Sequence, residues 1–252
     1  MSVFRFKRFD VVNERSAMKV NTDGVLLGAA MTILPSDRTM LDVGTGTGTI
    51  ALMAAQRHMD NQADINGADL NAGPFLHRDA VDIDEASASE AAANFANSPW
   101  KEVLNAHHYP LDAFAASSRT RYDLIFSNPP YFEDSLTAPD ERKSTARHTS
   151  DGLSYRDIFE FAKERLTENG RVSLVLPADQ EAALSRYSRM CGLHLFRILR
   201  VRTVPRKSPS RIIAEFSFQR CPEPKEELLT IQDEGKYTQE YLSLTHDFYL
   251  FA

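Results

Sequence analysis

The chain has 252 residues, which is long for one average domain but fits a single α/β core with one peripheral addition. Its net charge of -6 argues against a protein that coats nucleic acid with its whole surface, because phosphate contacts require local cations. The two cysteines lack metal-ligand spacing, and no signal-peptide pattern or membrane-length apolar stretch is evident. We therefore expect a cytoplasmic protein that binds neither a metal nor a membrane.

The first residues predict a short extension that packs on the rest of the chain. Basic and aromatic side chains alternate near its start, namely Arg5, Lys7 and Arg8 with Phe4, Phe6 and Phe9. This pattern fits either a basic contact surface or a half-buried hairpin. We expect residues 1–34 to form a hairpin and a helix, and residues 35–252 to form the main domain.

A glycine-rich loop follows the first predicted strand of that domain. Thr39–Val43 indicates a short buried strand, and residues 49–57 indicate a helix. Between them, Gly44, Gly46 and Gly48 let the backbone approach a ligand, while the amides of the following helix face it. The spacing G-x-G-x-G departs from the dinucleotide fingerprint G-x-G-x-x-G, which argues against NAD. An ordinary helix-capping turn is the alternative.

A site of this kind also needs a carboxylate at the end of the second strand, where it binds ribose hydroxyls. Asp69 lies about twenty residues beyond the loop, the distance typical of that acid. Asp82 comes later but is followed at once by a good helix pattern, 85–97. We favour Asp82, which makes residues 67–79 a loop inserted into the strand region. Asp69 stays open, and either could be a solvated turn carboxylate.

The stretch Asn128-Pro129-Pro130-Tyr131, directly after an apolar strand, is suited to hold a planar amine such as that of adenine. The lone pair of this amine is delocalised, so the Asn128 side-chain oxygen and the Pro129 carbonyl would orient it by accepting its two hydrogens. Pro129 and Pro130 make the loop rigid. Tyr131 offers an aromatic face to an unstacked base, and Phe132 a second apolar wall. A plain turn after a strand is the alternative.

The remaining pattern predicts one wound, mostly parallel sheet of seven strands with helices on both faces. Its strand ends would place the glycine loop, the acid and the Asn-Pro-Pro-Tyr motif along one edge, where ligands bind in open α/β sheets. Residues 182–214 contain no Asp or Glu and are strongly basic. Within them, Arg206 and Lys207 lie in a proline-bounded loop that could reach a nucleic-acid substrate. A solvated basic face is the alternative.

Five segments together resemble the bacterial valine-tRNA adenine methyltransferases, and the resemblance spans nearly the whole chain: residues 18–28, 41–48, 97–100, 128–132 and 237–250. The Asn-Pro-Pro-Tyr motif alone is shared with DNA adenine and protein glutamine methyltransferases. The segments Thr-Asp-Gly-Val-Leu-Leu-Gly near the start and Asp-Phe-Tyr-Leu near the end are more specific.

The resemblance implies a Rossmann-like class I fold and S-adenosylmethionine as the cofactor. It also implies methyl transfer to the 6-amino group of the adenine just 3′ of the anticodon of a valine tRNA. In such enzymes Asp42 would face the methionine amino group of the cofactor, Thr22 and Asp23 would shape a lid over it, and Asn128 would contact it. The insertion at 67–79 departs from the family pattern, and it lies just before Asp82, to which the ribose contact is assigned.

Two other functions fit parts of the sequence. A protein glutamine methyltransferase would use the same motif on a side-chain amide, but such enzymes carry a helical substrate domain before the glycine loop. Here only 43 residues precede Gly44. A nonenzymatic RNA-binding module would keep the basic segment but would need no glycine loop.

Overall fold

The computed structural model of the protein describes residues 2–66, 77–131 and 152–251. The chain starts with a hairpin and a helix, and strands then alternate with helices as far as the Asn-Pro-Pro-Tyr motif. These elements are β1 (Val3–Arg5), β2 (Asp10–Val12), α1 (Thr22–Ala30), β3 (Thr39–Val43), α2 (Thr49–Asn66), β4 (His77–Asp82), α3 (Glu85–Ala96), β5 (Leu104–His108), α4 (Leu111–Ser117) and β6 (Tyr122–Ser127).

The second half continues the alternation and ends in a small hairpin and a helix. Its elements are α5 (Tyr155–Arg165), β7 (Leu166–Pro177), a 3-10 turn (Ala178–Gln180), α6 (Glu181–Met190), β8 (His194–Arg202), β9 (Arg211–Ser217), β10 (Lys225–Thr230), β11 (Gln232–Asp233), β12 (Lys236–Tyr237) and α7 (Gln239–Thr245).

The main sheet has the order β10-β8-β9-β7-β6-β3-β4-β5 and is parallel except at β9, which is antiparallel to both neighbours. The described residues thus place eight strands in this sheet, and the prediction of seven was wrong. The additional strand is β10, which pairs in parallel with β8 at the edge of the sheet. Half of its sequence KEELLT is charged and most of the strand is at least partly exposed, so it lacks the apolar pattern by which strands are recognised.

Helices cover both faces of the sheet, as expected. On β3, Met40 packs into the core that contains α1, α2 and α3, whereas Leu41 and Val43 pack into the core that contains α4, α5 and α6. Ile125 and Phe126 of β6 divide between the two cores in the same way. Side chains of successive strand residues point to opposite faces, so apolar residues on both faces bury the central strands completely.

The hairpin and helix expected within residues 1–34 are present, and α1 lies directly against α2. Asn21 caps α1 by accepting a hydrogen bond from the Gly24 amide at 2.8 Å. A Cβ atom at Gly28 would lie only 2.7 Å from Met53 Sδ of α2. The glycine therefore sets how closely these two helices approach.

The region between α2 and β4 differs from the expectation. The helix extends to Asn66, and β4 begins at His77, so the last three residues of the predicted 67–79 loop belong to a strand. Residues 67–76, including Asp69, lie outside the described part of the chain. The start of β4 was not recognised as a strand because its residues are polar. One of them, Asp79, accepts a hydrogen bond from the Tyr122 hydroxyl at 2.9 Å and contacts His107 at 3.0 Å.

Candidate active site at the carboxyl edge of the sheet

The glycine loop joins the end of β3 to the start of α2 and is held against β4. The amides of Gly44 and Thr45 donate to the Val81 carbonyl at 2.8 and 3.2 Å. At Gly48 the backbone has a φ of 80°, and a Cβ atom there would lie 2.5 Å from Cε1 of Phe95 on α3. Only glycine satisfies both constraints, and this lets α2 begin immediately after the loop.

Asp42, the next-to-last residue of β3, is fully buried beneath this loop. Its Oδ2 atom accepts from the Thr45 hydroxyl at 2.8 Å, while Oδ1 has no hydrogen-bond partner among the described residues. Burial raises the pKa of Asp42 to about 7, against the opposing effect of the Thr45 hydrogen bond. A buried carboxylate with one unpaired oxygen is suited to bind a cation, which would return it to the ionised form.

Asp82 ends β4 beside the same loop. Its two carboxylate oxygens accept from the amides of Gly46 and Asp84, each at 2.9 Å. Burial raises the pKa of Asp82, although both amides oppose this effect. Each oxygen keeps a lone pair, so Asp82 can also accept ligand hydroxyls. The structure therefore places the favoured acid at the predicted strand end, and its contact with ribose stays a prediction.

The segment before α1 covers the glycine loop, a feature that the sequence patterns did not reveal. Glu90 of α3 accepts the amides of three consecutive residues, Glu14 at 2.7 Å, Arg15 at 2.9 Å and Ser16 at 2.8 Å. Burial acts to raise the pKa of Glu90, but these donors bring it below its ordinary value. The segment is thereby fixed so that a Cβ atom at Gly46 would lie 3.3 Å from Ser16 Oγ.

A signal for this anchor was present in the sequence of α3. Glu90 and Asn94 are four residues apart and therefore share one face of the helix, and both are buried. Asn94 exchanges hydrogen bonds with the Val12 backbone and donates to the Thr47 carbonyl at 2.8 Å. Only the shared helix face can be read from the sequence; the burial of both side chains, which requires polar partners, is a finding of the structure.

The Asn-Pro-Pro-Tyr motif follows β6 and lies next to the glycine loop. Phe126 pairs with Asp42 across β6 and β3, and the Ser127 hydroxyl donates to the Val43 carbonyl at 2.6 Å. Asn128 is 5% exposed and Pro129 is buried, whereas Pro130 is exposed. The predicted convergence of motif and loop on one edge of the sheet is therefore present in the structure.

Tyr131 belongs to a network that joins three distant parts of the chain. Its hydroxyl donates to Asn128 Oδ1 and to Asp23 Oδ2, both at 2.9 Å. The same Asp23 atom accepts from Arg211 Nε at 2.8 Å, and the Arg211 guanidinium lies 5.1 Å from the centre of the Tyr131 ring. Burial and the Asp23 charge raise the pKa of Tyr131, so its hydroxyl remains a donor.

The other described residues predicted for the site lie on α1 and on the loop between β8 and β9. Thr22 is exposed at the start of α1, and Asp23 beside it faces the motif through its bond to Tyr131. Arg206 and Lys207 lie exposed in the loop between β8 and β9, and the β8 end of that loop is at the carboxyl edge of the parallel strands. Phe132, the predicted second wall, lies outside the described residues.

The residues present fit a cofactor that carries a cationic amino group and ribose hydroxyls. Asp42 supplies an unpaired buried oxygen, Asp82 supplies a carboxylate at the next strand end, and the glycine loop runs between them. Within residues 2–66, 77–131 and 152–251, no group of three His, Cys, Asp or Glu side chains could hold a metal ion. In the same ranges no helix is both long and apolar enough to cross a membrane.

Comparison with known proteins gives a consistent result. A family model described as "Methyltransferase small domain" matches residues 16–185. The tRNA1(Val) (adenine(37)-N6)-methyltransferase of Bacteroides thetaiotaomicron is 38% identical over 247 residues, covering 98% of this chain and 97% of the relative. Its counterpart in Parabacteroides distasonis is 39% identical over 248 residues, with the same coverage of 98% and 97%.

A solved structure supports the fold. A protein of Agrobacterium tumefaciens described as a predicted O-methyltransferase superposes with a TM-score of 0.60 at 13% identity, covering 90% of this chain and 96% of that one. The fold and the site together define a class I S-adenosylmethionine-dependent methyltransferase. Within that class, the chain belongs to the family of tRNA1(Val) (adenine(37)-N6)-methyltransferases.

Proposed function

We propose that this protein methylates the 6-amino group of an adenine in tRNA, and that this is the adenine 3′ of the anticodon of a valine tRNA. The names of relatives that match along nearly the full length of both chains support this substrate. The observation that carries the proposal is the position of Asn128, buried at the end of β6 and adjacent to the glycine loop through the bond from Ser127 to Val43.

The motif would hold the target amine by two acceptors. Asn128 Oδ1 accepts one amino hydrogen and the Pro129 carbonyl accepts the other, which directs the nitrogen lone pair out of the plane of the base. Pro130 restricts the backbone of Pro129 and so fixes the direction of its carbonyl. The Tyr131 ring packs against the flipped base. Neither acceptor changes its charge, so the contribution of the protein is orientation and proximity.

The cofactor would lie between the glycine loop and the two strand ends. S-adenosylmethionine supplies an electrophilic methyl group on its sulfonium. Asp42 would hold its amino group and Asp82 its ribose hydroxyls, while Gly44, Gly46 and Gly48 keep side chains out of its path. Thr22 would add a further contact, whereas the contacts of Asp23 and Asn128 with the cofactor would contribute little to its affinity beside their roles at the motif. Residues 1–34 would act as an extension that packs on a methyltransferase domain of residues 35–252.

The tRNA would approach across the carboxyl edge. Arg206 and Lys207 are exposed on the loop between β8 and β9 and would contact phosphates, which do not depend on base sequence. Each such contact makes the affinity for tRNA fall more steeply as the salt concentration rises. A tRNA substrate is consistent with action in the cytoplasm, which we propose as the location.

A methyl-transfer assay with labelled cofactor tests the substrate. The protein is incubated separately with tRNA, with duplex DNA and with a release factor, and modified tRNA is digested to locate the methylated nucleoside. We expect label in 6-methyladenine next to the anticodon of valine tRNA. Label in a glutamine side chain of the release factor, or cofactor-independent RNA binding alone, would replace the proposal with one of the two alternatives.

The Asn128→Ala variant tests the site. We expect it to lose turnover and to keep cofactor affinity within about threefold, since the side chain acts on the substrate amine. Calorimetric titration with S-adenosylmethionine measures the second quantity. An equal loss of cofactor binding and turnover would contradict the assigned role.

A further inference from the structure

The contacts of Asn128 leave its orientation dependent on Tyr131. The two ends of an amide side chain have nearly the same shape, so hydrogen bonds decide which end points where. Among the described residues, the side-chain partner of Asn128 besides Tyr131 is Met18, whose Sδ atom lies 3.4 Å from Nδ2. Sulfur is a weak acceptor. The hydrogen bond from the Tyr131 hydroxyl, 2.9 Å from Oδ1, therefore selects the orientation of the amide in which the oxygen faces Tyr131.

The orientation matters because only the oxygen can accept a hydrogen from the target amine. An amide oxygen has two lone pairs, so Asn128 Oδ1 can bind Tyr131 and the substrate at the same time. If the amide rotated by half a turn, its NH2 group would face the NH2 group of adenine, and two donors would oppose each other. The hydroxyl of Tyr131 therefore has a role separate from that of its ring.

Arg211 and Asp23 hold the hydroxyl in place. Asp23 Oδ2 lies 2.9 Å from the Tyr131 oxygen, and Arg211 donates to that same carboxylate atom at 2.8 Å while its guanidinium covers one face of the ring. A phenol has a single proton, which two acceptors share here. The Arg211 bond to Asp23 Oδ2 partly neutralises that carboxylate and makes it a weaker competitor of Asn128 Oδ1 for the Tyr131 proton.

We propose that Arg211 and Asp23 are positioning residues for methyl transfer, which hold the Tyr131 hydroxyl against Asn128 Oδ1 so that its other lone pair meets the target amine. This inference rests on the proposed function. It assigns to Asp23 a role through the motif instead of a cofactor lid.

Kinetic analysis of Tyr131→Phe, Asp23→Asn and the double variant tests the proposal. Tyr131→Phe removes the hydroxyl with both of its hydrogen bonds, and Asp23→Asn removes the charge beside that hydroxyl; both changes nearly keep the shape of the side chain. We expect each to lower kcat about tenfold, the factor for one charge-assisted hydrogen bond, with little change in KM for tRNA. Since both act through the same hydroxyl, the double variant should lose no more than the worse single variant.

Arg211→Ala should lower kcat in the same way, and Arg211→Lys should recover part of the loss because it restores the charge beside Asp23. Arg220→Ala is the matched control, because Arg220 is exposed beyond the opposite end of β9. It should behave as wild type. Cofactor affinity by calorimetry and the melting temperature are measured for every variant, so a folding defect is recognised directly.

Four results would separate the possible failures. Independent, multiplying losses in the double variant, or a loss of cofactor affinity in Asp23→Asn, would overturn the positioning role while the tRNA activity of the wild type stands. Unchanged kcat in Tyr131→Phe would overturn it as well. If the wild-type enzyme transfers no methyl group to tRNA, the proposed function fails and the positioning role falls with it.

Discussion

The raised pKa of the buried Asp42 should make cofactor binding depend on pH. Its buried carboxyl group has a pKa of about 7 in the free protein. A cationic amino group beside its unpaired oxygen would lower that pKa far below neutrality, so the cofactor binds only the ionised form. The observed Kd is then multiplied by one plus the ratio of protonated to ionised protein. This makes binding about fifteenfold tighter at about pH 7 than at about pH 5.5.

Calorimetric titration with S-adenosylmethionine across this range measures the effect, and two buffers of different ionisation enthalpy report the proton that is released on binding. The range stops at about pH 7 because an α-amino group titrates at about pH 7.7 to 8.0, where the amino group of the cofactor would itself lose its charge. Asp42→Asn should bind more weakly and with a flat profile. A wild-type affinity that is constant from about pH 5.5 to about pH 7 would refute the reasoning.

Folding of the free protein should show the opposite trend with pH. The folded-state pKa of Asp42 lies above its unfolded value of 3.8, so folding favours the protonated form. The corresponding stability is fully present below about pH 4 and is lost as the pH rises through about 7, by at most roughly 4 kcal/mol. Urea denaturation near pH 8 should therefore find Asp42→Asn more stable than wild type without cofactor.

Three further changes test the glycine loop, the segment that covers it and a buried ion pair of the sheet. Gly48→Ala should lower the free energy of unfolding, measured with urea, by about 3 kcal/mol, because it combines a positive φ with overpacking against Phe95. Gly192 has a similar φ but open space around it, so Gly192→Ala should lower the free energy of unfolding by only about 1 kcal/mol. Glu90→Ala should raise the Kd for S-adenosylmethionine several-fold, because it releases the segment around residues 14–16 that covers the glycine loop. An unchanged Kd would show that this segment does not contribute to cofactor binding. Arg197→Ala leaves the fully buried Glu215 without its 2.6 Å ion pair, and we expect a loss of about 3 kcal/mol, against little for Arg197→Lys.

The sequence predicted the parts of the site that depend on strand ends. Asp42, Asp82 and Asn128 each follow an apolar or β-branched run, and in a parallel sheet the carboxyl ends of such runs meet at one edge. Polar strands were harder to recognise. Both β10 and the start of β4 carry charged side chains that are paired in the structure or exposed at an edge, so their apolar periodicity is weak.

Contacts between distant segments could not be predicted from spacing. Tyr131 and Asp23 are 108 positions apart, and Asp23 and Arg211 are 188 positions apart. Arg211 begins a strand, so the rule that ligands bind at the carboxyl ends of strands does not select it. It reaches the site because β9 runs antiparallel to β7, so that Arg211 pairs with Pro177 at the end of β7. Reversal of one strand thus brings an amino-terminal strand residue to the edge where the motif lies, and predicting Arg211 would have required the direction of β9.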